Sequence, residues 1–156
     1  PELTVRLIES PRQPQRIVID SRLQVPPSAK IIAPGTLLLC GELDPAKVAA
    51  LQDRGAEVLA LPSAEGRVDL PALLALLGQR GLNEVMVEAG AGLAGALLQQ
   101  GLVDELLLYQ APVLLGDKAR GLVEWQALTS MTQRQPLQLR DLRQIGADIR
   151  MTLRPA

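Results

Sequence analysis

A chain of 156 residues, 47% of them hydrophobic, has the length of one domain and enough apolar material for a real core. Sixteen basic residues against seventeen acidic ones leave a formal charge of −1, which excludes the positive field that nucleic acid or an anionic membrane requires. With no histidine and one cysteine, the chain cannot assemble a His/Cys zinc cluster, a Ser-His-Asp triad or a Cys-His pair.

The opening residues PELTVR (Pro1 to Arg6) carry no cap, tail or identifiable first element and read as a start inside a larger domain. Arg16 to Ile19 (RIVI) and Thr36 to Cys40 (TLLLC) are short apolar runs bounded by Pro, Asp, Ser or Gly, and they predict buried strands. Asp44-Pro45 predicts an N-cap with proline in the first helical turn, for a helix that Gly55 stops. Glu57 to Leu61 is the next strand. Leu70 to Arg80 is a second helix, capped by Asp69 and followed by Gly81. Glu84 to Glu88 predicts a strand, Leu93 to Gln100 a helix, and Glu105 to Gln110 another strand. From Pro136 onward, Leu137, Leu139 and Leu142 precede a Gly146-Ala147-Asp148 turn, after which Ile149, Met151 and Leu153 alternate with polar residues, as an antiparallel hairpin does.

Strands alternating with short helices predict right-handed βαβ crossovers, a largely parallel sheet covered on both faces, and an α/β domain. Phenylalanine is absent and Tyr109 and Trp125 are the only aromatics, so the core is aliphatic and no base-stacking platform can be built. Cys40 has no disulfide partner, and neither a signal sequence nor an apolar run of membrane-spanning length is present, which gives a cytoplasmic protein as the expectation.

The informative stretch is Val85 to Pro112, VMVEAGAGLAGALLQQGLVDELLLYQAP. Gly90-Ala91-Gly92-Leu93-Ala94-Gly95 fits G-x-G-x-x-G after a predicted strand and at a predicted helix start, where free N–H groups and the helix dipole attract phosphate. The competing reading is that small residues let the helix pack closely. The following strand ends in Tyr109-Gln110-Ala111-Pro112 without the acidic residue that a Rossmann NAD site wants. Glu88 stands at the carboxyl end of its predicted strand, where open α/β sheets place ligands, although a capping or ion-paired role is equally open. Asp104-Glu105 and Arg120 read as surface charges, and Tyr109 and Trp125 as packing residues.

The block Val87 to Leu122, VEAGAGLAGALLQQGLVDELLLYQAPVLLGDKARGL, resembles the reductase domain of the bifunctional riboflavin-biosynthesis deaminase/reductase. PELTVR at the start and QRIVIDSRLQVP (Gln15 to Pro26) resemble it too, in the same order; Ala89 departs from the family's Glu-Gly-Gly turn. The resemblance implies a dihydrofolate-reductase-like three-layer α/β/α fold, with a mostly parallel central sheet and an antiparallel C-terminal hairpin. It implies NADPH-dependent reduction of 5-amino-6-(5-phosphoribosylamino)uracil, a small phosphoribosylaminopyrimidine, by hydride transfer to ribose C1′. Carried over, Glu88 contacts the substrate and acts in catalysis, and Leu3 and Arg6 bind substrate. Ser21 together with Gly90, Ala91, Gly92, Leu93, Ala94, Gly95 and Ala96 binds NADPH. It further implies a homodimer, an opening strand and helix ahead of PELTVR, and an N-terminal deaminase domain in the whole protein, so that residues 1–156 are one truncated reductase domain. A related oxidoreductase for another pterin or pyrimidine, and a non-catalytic α/β interaction module, are the alternatives.

Overall fold

In the computed structural model, which describes residues 1–156, the first three apolar runs become strands β1 (Ile17–Ile19), β2 (Leu37–Cys40) and β3 (Glu57–Ala60) of one parallel sheet in that order. β2 lies in the middle, and its four residues are at most 1% exposed, which is why its sequence is continuously apolar rather than alternating. Helix α1 (Pro45–Gln52) makes the crossover from β2 to β3. It starts where expected because the Asp44 carboxylate accepts from the Ala46 and Lys47 N–H groups at 3.1 and 3.2 Å, and Pro45 has no N–H to satisfy. Helix α2 (Leu70–Gln79) is capped by Asp69, which accepts from Ala72 N–H at 2.9 Å, and it buries Leu70, Leu73 and Leu77.

These elements belong to the first of two compact units, Pro1–Asn83. Its core gathers Leu23, Ile31, Ile32, Leu38, Cys40, Leu51, Ala56 and Val58. Thr36 is fully buried, and its hydroxyl donates to the Ile31 carbonyl at 2.7 Å, so the one polar side chain in that core is satisfied. Burial pushes the Cys40 thiol up, consistent with a small packing residue rather than a nucleophile.

The second unit, Glu84–Ala156, holds helix α3 (Ala91–Gln99) and the strands β4 (Leu106–Gln110), β5 (Leu137–Ile145) and β6 (Asp148–Pro155). The predicted hairpin forms: Gly146 has φ +62° at the first position of a two-residue loop, the place where a type II′ turn calls for glycine. The register shifts between Leu139 and Asp141, so Arg140 opposes no residue of β6. This bulge explains the uneven spacing of Leu139 and Leu142, which face Leu153 and Met151 on one side of the sheet. On the other side Arg143 and Arg150 sit directly opposite each other, and Asp141 bridges them at 2.8 Å to each.

Two expectations are corrected here. Residues 84–88 form no strand: their backbone N–H groups donate to nothing within the protein, and Val85, Met86 and Val87 are 40%, 74% and 47% exposed. An apolar run becomes a strand only beside a partner edge, and the sequence pattern supplies the run without the edge. β4 does not extend a parallel sheet either; it pairs antiparallel with β6, giving the order β4-β6-β5. No helix is long and apolar enough to cross a membrane.

Leu38→Ala empties part of the first core and is expected to cost about 2–5 kcal/mol, read as a lower urea midpoint. The Asp141 carboxyl is held below the usual carboxylate range by its hydrogen bond from Arg150, with Arg143 adding to the effect. A depressed folded-state pKa contributes stability above the unfolded value and loses it as pH falls through the folded one. Asp141→Asn is therefore expected to lower Tm at neutral pH, with the difference from the native protein narrowing as pH falls below the ordinary carboxylate range and through the depressed folded-state pKa.

Candidate functional site

Helix α3 begins differently from α1 and α2. Its N-cap is Gly90, which has no side chain to accept from the first turn, whereas both earlier helices start on an aspartate. The first helical bond at this end is Ala94 N–H to Gly90 carbonyl at 3.2 Å, so the amides of Ala91, Gly92 and Leu93 have no partner within the helix. Three N–H groups and the positive end of the helix dipole converge on one turn, an arrangement suited to a phosphate oxygen.

The three glycines of this turn differ in what surrounds them. Gly90 has φ −78° and ψ 174°, a conformation open to any residue, and a Cβ there would meet nothing within 4 Å. Neither packing nor backbone geometry calls for glycine at Gly90. Gly92 lies against the Glu124 carboxylate, with an oxygen 3.3 Å from where its Cβ would be. Gly95 is buried, and a Cβ on it would collide with the Glu124 carbonyl oxygen. Close packing thus accounts for Gly95, but against residue 124 rather than against a sheet. No local signal announces that contact, because Glu124 is remote from the glycines in sequence.

Glu88 lies two residues before Gly90 in the segment without secondary structure, exposed, with no ion pair or hydrogen bond to its carboxylate. Ala91, Leu93, Ala94 and Ala96 are half-buried along α3.

Three further candidates lie in the first unit. Ser21 stands just past the carboxyl end of β1, in a turn organised by Asp20, whose carboxylate accepts from Val25 N–H at 2.6 Å and from Arg22 N–H at 3.3 Å. The Ser21 hydroxyl accepts from Val68 N–H at 3.1 Å and its carbonyl accepts from Gly41 N–H at 3.1 Å, tying the ends of β1 and β2 to the loop before α2. Its own hydroxyl proton is free to donate to a ligand. Leu3 packs against the core cluster with φ +49°, a strained conformation for a leucine that burial holds in place. Arg6 is 66% exposed and only loosely paired with Glu2 at 3.8 Å, so its guanidinium can reach an anion. Of the lesser candidates, Glu105 pairs with Arg154 at 3.3 Å as a surface charge does, and Tyr109 is 57% exposed on β4.

Residues 1–151 match the model of the RibD C-terminal domain family. The chain belongs to that family. It is 39% identical over 139 residues to the riboflavin biosynthesis protein RibD of Escherichia coli strain K12, covering 88% of this chain and 37% of that one. It is 32% identical over 145 residues to a 5-amino-6-(5-phosphoribosylamino)uracil reductase of Buchnera aphidicola, covering 92% and 69%. A solved structure of Acinetobacter baumannii RibD superimposes with a TM-score of 0.83 at 31% identity, covering 99% of this chain and 43% of that one. The α/β fold expected from the sequence is the fold of this RibD relative, and the chain spans less than half the length of the RibD proteins it matches.

Because Val68 N–H would lose its partner, Ser21→Ala is expected to lower stability by about 1 kcal/mol with no ligand present. Thermal unfolding of the free protein checks this; an unchanged Tm would leave Ser21 without a structural role.

Proposed function

We propose that the protein reduces 5-amino-6-(5-phosphoribosylamino)uracil to 5-amino-6-(5-phosphoribitylamino)uracil with NADPH. The observation that carries this reading is the match to a relative named for that reduction, aligned over 92% of the chain. The uncapped amides of Ala91, Gly92 and Leu93 fit a phosphate of the cofactor, beside the unengaged carboxylate of Glu88.

When bound, NADPH supplies the hydride. The substrate accepts it at C1′, the C1′–O4′ bond breaks, and O4′ takes a proton, leaving the open ribityl chain. The protein's part is to bind, orient and exclude water, which supplies much of the rate in hydride transfer and needs few acid/base groups. A chain without histidine can do this. The start of α3, Gly90 to Ala96, meets the cofactor phosphates through the free amides of Ala91, Gly92 and Leu93. Ser21, in the first unit, has a hydroxyl proton free to donate to a ligand. Arg6 meets the substrate phosphate as a charge-assisted partner and Leu3 gives it an apolar contact. Glu88 orients sugar hydroxyls and assists the proton movement during ring opening.

On this reading residues 1–156 form one reductase domain, completed by a strand and helix outside them. The bare backbone of residues 84–88 supports a missing strand partner. A deaminase domain belongs to the same longer protein, in keeping with the length of the RibD relatives. Leu139, Leu142 and Ile149, exposed on one face of the antiparallel sheet, support association with a second copy in the cytoplasm.

The test is calorimetric titration with NADPH and NADH, using the native protein and Gly90→Ser. Native protein is expected to saturate with NADPH preferred. In Gly90→Ser the new hydroxyl caps the first turn of α3, so Tm holds or rises while NADPH affinity falls on the order of tenfold. Undiminished NADPH binding by the variant would remove the cofactor from this turn.

A further inference from the structure

The chain around Glu124 forms a strap that touches the side of α3 through that residue. Glu124 N–H donates to the Ala91 carbonyl at 2.9 Å, and the Glu124 carbonyl accepts from Gln99 Nε2 at 3.4 Å. Ala91, Gly95 and Gln99 are spaced i, i+4 and i+8, a single stripe of the helix. One residue of the strap therefore engages two turns of α3, from its first residue to its last, and passes over Gly95 so closely that any Cβ would displace it. The Glu124 carboxylate then lies beside Gly92, which is itself exposed. The side left uncovered is that of Gly90.

The strap belongs to the long connection from β4 to β5, residues 111–136, whose Val113, Leu114 and Leu115 are 63%, 100% and 79% exposed. Connections of this length without strands or α-helices of their own are uncommon and tend to serve function. Here Glu124 fastens the connection to the helix that carries the proposed cofactor turn.

We propose that Glu124 is a positioning residue. Its backbone seats the opening turn of α3 so that the amides of Ala91, Gly92 and Leu93 face a ligand arriving from the Gly90 side, and Gly95 is glycine for the strap, not for the ligand. The proposal rests on the NADPH reading of that turn. It separates three glycines that the sequence motif treats alike: Gly90 leaves room for the ligand, Gly95 leaves room for the protein, and Gly92 lies between the two roles.

Trp125, the only tryptophan, is half-buried next to Glu124 and reports on the strap. In Gly95→Ala the Glu124 carbonyl must move. The expected result is red-shifted Trp125 emission with far-UV circular dichroism retained, and an NADPH Kd raised on the order of tenfold to a hundredfold. Gln99→Ala introduces no clash and removes only the far bond, so it is expected to move emission and Kd in the same direction by less. Unchanged emission in Gly95→Ala, or shifted emission with an unchanged Kd, overturns the proposal. If Gly95→Ala does not fold, an unchanged Kd in Gln99→Ala overturns it. Native protein that binds no NADPH sinks the reductase reading on which the proposal rests, whereas native protein that binds NADPH, with Gly95→Ala shifted in emission and unchanged in Kd, sinks the positioning role alone.

Discussion

The first unit depends on one requirement, that strand β2 have both edges paired and both faces covered. Leu37, Leu38, Leu39 and Cys40 are almost completely removed from water, and each of their backbone groups needs a partner there. β1 and β3 supply the partners in parallel register, which obliges the chain to cross over between them, and α1 is that crossover between β2 and β3. The turn holding Ser21 follows from the same arrangement. Where β1 ends, its chain must leave the sheet at the level where β2 also ends, so Ser21 comes to meet Gly41 and the loop before α2.

Helix α3 represents a different balance. α1 and α2 begin on aspartates that satisfy their first amides, the arrangement that favours stability. α3 begins on a glycine and leaves those amides open. Stability forgone at one helix start is reasonable where binding needs donors that are not already engaged, and Glu88 beside that start is likewise free of internal partners. The rest of α3 is well anchored: Leu97 and Gly95 are buried, and Glu124 lies along the helix. The open turn is thus carried on a fixed helix, the condition under which a few N–H groups can hold a ligand in register.

Local chemistry made much of this legible. Asp44-Pro45 and Asp69 marked two helix starts because a short carboxylate before a helix has a specific amide to bond, and the structure contains both bonds. Gly146-Ala147-Asp148 marked the hairpin as a turn between alternating runs, and in the structure Gly146 takes positive φ there. The run TLLLC marked a buried strand because nothing in it could face water. The family resemblance lay in blocks spread from PELTVR to Leu122, and the match over residues 1–151 bears it out.

The sequence by itself determined the elements whose cause is local, namely caps, turns, apolar runs and the glycine-rich start of α3, together with the family those blocks mark. Only the tertiary structure decided what each element sits against. It left residues 84–88 without a ladder, paired β4 antiparallel with β6, placed a bulge at Arg140, and brought the Glu124 carbonyl onto Gly95. The physical reason is the same in each case: a backbone hydrogen bond or a close van der Waals approach belongs to two segments at once, and a pattern read along one segment carries no record of the other.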